Sequence, residues 1–310
     1  MRQAAHRIAG TARRTPLRRS DALSALVGGD VHLKLETEQL GGSFKLRGAL
    51  NAMLSLSDDE RAIGVVASSA GNHGLGLAIA AEKLGTRTTV FVPSTAPVVK
   101  RAAIAAHGVH VEATQPGYDA AETAARQFAR DTGSTFISPC TGRSLLAGAG
   151  TVAMEILDDL PSTGTMIVPV GGGGLVGGIG GYVRGTAAGV RILGAQSVRT
   201  NAMSLALQSH RPERIPDLPT LADGLAGLVD AEMLAQGEAA IDAMATVTEE
   251  EIAEAIAWLF REEGLTVEGS GAVGVAALRA GRLKPQAFPV VVIISGGNID
   301  KAKLAEILAR

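Results

Sequence analysis

The chain has a single cysteine, Cys140, among 310 residues. That excludes an intrachain disulfide and makes a cysteine metal site untenable. It also has little net charge, −2, from 29 Lys and Arg against 31 Asp and Glu. Nothing in that balance draws the chain to nucleic acid or to an anionic membrane. The apolar core of a secretory signal is missing; residues 1–19, rich in Ala and Arg, read as an ordinary surface segment rather than a transit peptide. Only residues 166–183 are uncharged over a bilayer's width, and Pro169 with eight glycines interrupts them. A lipid-exposed helix tolerates such residues poorly, so this stretch is expected to be a buried strand, a turn and a packed helix. No fixed-period repeat is present. A reducing cytoplasm is the expected compartment.

What is present is a soluble, globular composition, 46% apolar and 19% charged. Short apolar runs alternate with helical patterns. Strands are expected at 64–69, 88–93, 109–113, 135–138, 166–170, 191–196 and 288–294. Helices are expected at 74–84, 97–107, 118–132, 144–160, 175–186, 201–208, 249–263 and 301–308. Thr248 and Glu251 form a capping-box pattern at the start of the 249–263 helix. The three prolines between 208 and 230 mark a long connection. Strands alternating with helices argue for an α/β chain with buried parallel sheets. Ligands of such sheets bind where strands hand over to helices, and four turns of this chain are unusual.

The first holds Gly41, Gly42, Ser43, Phe44, Lys45 and Gly48. A lysine set among glycines beside an aromatic can approach a carbonyl group, although alone it reads more readily as a solvated surface lysine. The second, Ser68-Ser69-Ala70-Gly71-Asn72-His73-Gly74, follows a strand. Its main-chain N–H groups suit a carboxylate; the plain alternative is a tight turn with local hydrogen bonds. The third is Gly171-Gly172-Gly173-Gly174-Leu175. Four glycines let backbone wrap a phosphate. Gly172, Gly174 and Gly177 also satisfy a dinucleotide fingerprint, but the next strand ends in Gln196, not in the acidic residue a ribose requires. A single phosphate is the better reading. The fourth, Ser295-Gly296-Gly297-Asn298, places a hydroxyl at a strand end, able to bond a ring nitrogen or simply to cap a turn.

Taken in order, these turns resemble the β-family of pyridoxal phosphate (PLP) enzymes, fold type II, and within it the threonine dehydratases and serine racemases. The resemblance also takes in Thr15-Pro16-Leu17, Lys34-Leu35-Glu36, Ala222-Asp223-Gly224 and Glu268-Gly269-Ser270-Gly271-Ala272, and so covers nearly the whole chain. It implies two parallel-sheet domains of the tryptophan synthase β-like architecture. The large PLP domain is expected from 1–48 with 138–310, and the small domain from 49–137. It implies that Lys45 holds PLP as a Schiff base and later moves the Cα proton. Phe44 packs beside the cofactor and Asn72 bonds its 3′-oxygen. Gly171, Gly172, Gly173, Gly174 and Leu175 take the phosphate, Ser295 faces the pyridine nitrogen, and Glu268 lies near the ring. Ser69, Ala70, Gly71, Asn72 and His73 receive the substrate carboxylate.

The implied activity is threonine/serine ammonia-lyase, giving a 2-oxo acid and ammonia from a small amino acid. Other β-hydroxy amino acids (a hydroxyaspartate or an ectoine-breakdown intermediate) and a serine racemase-like activity are alternatives. So are a PLP carrier without turnover and, for the glycine loop alone, a nicotinamide oxidoreductase. Relatives are homodimers or homotetramers, and this chain is expected to be one. Where many members have Phe-Asp-Asp after the proline that here is Pro139, this chain has Cys140-Thr141-Gly142. Some relatives bind a divalent metal through a Glu and an Asp at positions held here by Gln196 and Ala202, which cannot replace two carboxylates; no metal is expected. The chain ends at Arg310. Feedback-regulated relatives carry a further domain there, so insensitivity to isoleucine is expected.

Overall fold

A computed structural model describes residues 1–187, 189–216 and 218–310. Its strands are β1 (Leu17–Arg19), β2 (Val31–Leu35), β3 (Val65–Ser68), β4 (Thr88–Pro93), β5 (His110–Gln115), β6 (Thr135–Phe136), β7 (Thr165–Pro169), β8 (Arg191–Ser197), β9 (Ala243–Val247) and β10 (Val290–Ile294). They form two compact units. One comprises Met1–Arg13 and Lys45–Ala149, the other Arg14–Phe44 and Gly150–Arg310.

The first unit holds a four-stranded sheet, β5-β4-β3-β6, parallel throughout. Central β3 is buried along its length, whereas edge strand β5 is half exposed. Residues of β3, β4 and the helix Tyr118–Thr132 form a core that includes Val66, Phe91, Ala121 and Ala125. The helix Arg2–Ile8 belongs here, with Ala4 and Ile8 buried, so the amino-terminal stretch is more than surface.

The second unit holds a six-stranded sheet, β1-β2-β10-β7-β8-β9. All its pairings are parallel except β1 with β2, an antiparallel edge that the alternating pattern did not announce. The middle strands β7 and β10 are buried at every position. Each side chain of Val-Val-Val-Ile-Ile in β10 withdraws apolar surface from water on both sheet faces, worth ~1.5–3 kcal/mol apiece. Ile293→Asp would place an unpaired charge there and is the kind of change this sheet cannot absorb.

The single helix expected over 144–160 is two, Arg143–Ala149 and Thr151–Asp159. The cause is packing. A Cβ at Gly148 would stand 2.3 Å from the Arg47 carbonyl oxygen, so the first helix runs against backbone of Lys45–Leu54. The second then starts from Gly150, where the chain passes into the other unit. Among its described residues the connection expected between 208 and 230 contains one 3-10 turn, Asp223–Leu225; Asp217 lies outside them.

Candidate active site

In the first unit, β3 ends at Ser68 and the helix Asn72–Leu84 begins four residues later. No side chain caps that helix at Gly71. The Ser69 hydroxyl oxygen accepts from Gly71 N–H at 3.2 Å, which fixes the turn. One turn into the helix, a Cβ at Gly76 would come within 2.9 Å of Leu46 N and 3.1 Å of the Lys45 carbonyl carbon. Glycine there lets the helix lie directly on the main chain that carries Lys45. The sequence-predicted residues Lys45, Ser69, Ala70, Gly71, Asn72 and His73 therefore share this unit.

Lys45 Nζ donates to the Pro139 carbonyl oxygen at 2.9 Å. His73 is buried, 2% exposed, and its Nε2–H donates to the Ile137 carbonyl oxygen at 3.1 Å. Burial foremost, then the nearby Lys45 charge, lowers its pKa to about 3. The imidazole is thus neutral at working pH, and what His73 can give an anion comes from its main-chain N–H. Nothing in the residue types of Ile137, Ser138 and Pro139 marks them as part of the site. Their contribution is through carbonyls and a turn hydroxyl, and a carbonyl oxygen is common to all residue types. The only available signal was proline after a short strand.

In the second unit, β7 ends in the glycine run. Gly173 has φ +89°, a left-handed conformation that other residues rarely adopt, and stands at the head of the helix Gly174–Thr186 without a side-chain cap. The helix opens with Gly177 N–H donating to Gly173 O at 2.7 Å. The N–H groups ahead of that bond suit a phosphate. At the end of β10, Ser295 is 4% exposed and Glu268 is 8% exposed. Phe44 N–H donates to Ser295 O at 3.1 Å, and Glu268 N–H donates to Gly296 O at 3.2 Å. Ser43 pairs with Gly296 as an isolated antiparallel bridge. The unit thus gathers Phe44, Glu268 and Ser295 around one strand end.

Gln196 is the penultimate residue of β8, which runs one residue past the expected end to Ser197, and both its amide atoms are in use. Nε2 donates to Thr200 O at 2.9 Å and Oε1 accepts from Ser204 N–H at 3.0 Å. No group of three or more His, Cys, Asp or Glu side chains with the arrangement of a metal site occurs among the described residues. No helix among them is long and apolar enough to cross a membrane.

Comparisons with known proteins point one way. The sequence profile of the family described as "Pyridoxal-phosphate dependent enzyme" matches residues 8–296. The L-threonine ammonia-lyase of Thermotoga maritima is 39% identical over 304 residues, covering 97% of this chain and 75% of that protein. Maize serine racemase superposes with a TM-score of 0.92 at 29% identity, over 99% of this chain and 95% of that one. The processed form of threonine deaminase isoform 2 from Solanum lycopersicum gives 0.91 at 32% identity, over 99% of this chain and 92% of that one.

Proposed function

Given that this chain belongs to the pyridoxal-phosphate dependent enzyme family, we propose that it is an ammonia-lyase for L-threonine and L-serine, with Lys45 as Schiff-base lysine and proton-transfer group. The observation that carries the proposal is the Lys45 amine, held at the Pro139 carbonyl in the same unit as the uncapped turn at Ser69, Ala70 and Gly71. Relatives named L-threonine ammonia-lyase support the substrate class.

The residues present fit the cofactor. Lys45 supplies a primary amine for its aldehyde. Gly171, Gly172, Gly173, Gly174 and Leu175 supply main-chain donors and a positive φ that wraps a phosphate. Ser295 supplies a buried neutral hydroxyl for its ring nitrogen, Asn72 an amide for its 3′-oxygen, and Phe44 and Glu268 flank the same strand end as Ser295. When bound, PLP delocalises the electron pair left at Cα.

The chain's own groups do the rest. N–H groups at the head of the Asn72–Leu84 helix hold the substrate carboxylate. With the cofactor bound, the Lys45 amine would be the group that takes the Cα proton. The β-hydroxyl leaves as water, the proton taken from Cα balancing the one the leaving oxygen gains, and the enamine released becomes an imine and hydrolyses. Threonine gives 2-oxobutanoate and ammonia; serine gives pyruvate and ammonia. A homodimer or homotetramer in the cytoplasm belongs to the same reading.

The test is a panel of β-hydroxy amino acids assayed for 2-oxo acid and ammonia. Lys45→Ala is expected to lose activity by orders of magnitude, since it removes tether and base together. Near-native turnover by that variant without added amine would sink the assignment.

A further inference from the structure

We propose that the Pro139 carbonyl is the station of the Lys45 amine whenever that amine is not covalently engaged, and that Ser138 and His73 are positioning residues that aim this carbonyl. The inference rests on the reading of Lys45 as the Schiff-base lysine.

The segment carrying the carbonyl is fixed from several sides. Ile137 N–H donates to Val66 O at 2.9 Å, continuing the pairing of β6 with β3. The Ile137 carbonyl accepts from the buried His73 ring at 3.1 Å. Ile137 is thereby tied through both its main-chain polar groups. The pyrrolidine ring then locks φ of Pro139 and confines the preceding Ser138 to extended conformations, so within Pro139 itself the carbonyl's direction depends on one soft dihedral, ψ. That dihedral turns the Pro139–Cys140 peptide plane as a rigid body. In a trans peptide, C=O and N–H point to opposite sides of the chain. Cys140 N–H donates to Ser138 Oγ at 3.2 Å on one side. The Pro139 oxygen accordingly faces the other way, where Lys45 Nζ meets it at 2.9 Å. Ser138 Oγ also accepts from Thr141 N–H at 3.1 Å and lies 3.0 Å from Thr141 Oγ1, so the serine is itself held.

The geometry has a catalytic meaning. A lysine that leaves the cofactor on each turnover must stop in one place, within reach of Cα, on a long flexible stem. Fixing its nitrogen on a rigid acceptor lowers the entropy lost at proton transfer. Sequence alone assigns Ser138 nothing, because its part is played through the next peptide bond.

Ser138→Ala removes the acceptor that sets the peptide plane. We expect kcat for L-threonine to fall about tenfold to a hundredfold, with KM changed much less, since a misplacement near 1 Å is costly at a reacting centre. The isotope effect on kcat with Cα-deuterated threonine should rise, because proton removal becomes slower. In the full-length apoprotein, acylation of Lys45 by an amine-selective reagent, mapped by mass spectrometry, should quicken several-fold. Ser138→Thr keeps the oxygen and should restore all three readouts. Ser138→Cys, close in shape but a weak acceptor, should repeat the alanine result should the alanine variant fold poorly. Unchanged isotope effect and unchanged acylation in both variants would overturn the inference. Borohydride reduction of the holoenzyme separates the two readings: cofactor mass on a lysine other than Lys45 defeats the functional assignment, whereas mass on Lys45 with inert Ser138 variants defeats this inference alone.

Discussion

Lys34 donates to Glu155 Oε2 at 2.6 Å from a position with no exposed surface. The ammonium also donates to Thr15 O at 2.7 Å, and Thr15 Oγ1 bonds Glu36 Oε1 at 2.5 Å. A buried lysine within β2 is tolerated because its charge is paired and hydrogen-bonded. Removing one partner strands the other. Glu155→Ala should cost ~3–5 kcal/mol, whereas Lys34→Met with Glu155→Leu should recover most of it. Urea denaturation of the three forms reads this directly. A loss below ~1 kcal/mol for Glu155→Ala would mean that the pair behaves as a surface ion pair.

The same lysine explains a gap in what the sequence discloses. Val-His-Leu-Lys-Leu, with a charge at its fourth position, lacks the apolar run that marks β7 and β10, and so β2 was not expected although it sits inside the sheet. Edge strands β1 and β9 are partly exposed, so burial did not shape their composition. By contrast, the strand-to-helix turns were legible from residue type, because small residues and glycines there answer to main-chain geometry. Ser69 to Gly71, the glycine run and Ser295 all fall at strand ends in the structure. The direction of a side chain was not legible. His73 lies in the expected turn, yet its ring points to Ile137.

That ring makes a pH prediction. A histidine whose folded pKa is about 3 leaves the unfolded chain binding more protons between there and its ordinary value near 6.5. Stability contributed by neutral burial is complete above about 6.5 and is lost as pH falls toward about 3. Between pH 7 and 4.5 the wild type should lose ~2–3 kcal/mol more than His73→Asn. Unfolding free energies of both proteins across that range provide the measurement. Parallel curves would show that the imidazole gains its proton without cost.

Gln196 predicts independence from divalent cations. An amide whose Nε2 holds Thr200 O and whose Oε1 holds Ser204 N–H already joins the ends of this loop, and it offers no carboxylate to a hard cation. Dialysis against a chelator should leave activity and thermal midpoint unchanged. Gln196→Ala should cost ~1–3 kcal/mol by leaving two buried main-chain groups unpaired. A chelator-sensitive enzyme, restored by magnesium or calcium, would contradict this account.

The choice between lyase and racemase turns on Ala70. Racemisation needs an acid–base group on each face of the planar carbon, and in the proposed function Lys45 is one of them. In the racemases this chain resembles, a serine in the turn Ser-Ser-Gly-Asn-His serves the other; aligned on Gly71, Asn72 and His73, that position here is Ala70. A methyl group neither donates nor accepts a proton. The neighbouring Ser69 is no ready substitute, because its oxygen accepts from Gly71 N–H at 3.2 Å and adjacent turn residues point in different directions. Elimination from L-serine should therefore proceed with little D-serine formed, as chiral chromatography of the reaction mixture would report. D-serine appearing as fast as pyruvate would defeat the argument. Ala70→Ser should raise the ratio of racemisation to elimination if the new hydroxyl comes within hydrogen-bond reach of Cα, and Ser69→Ala should not lower it. A ratio that follows Ser69 instead would move the second acid–base group one residue back along the turn.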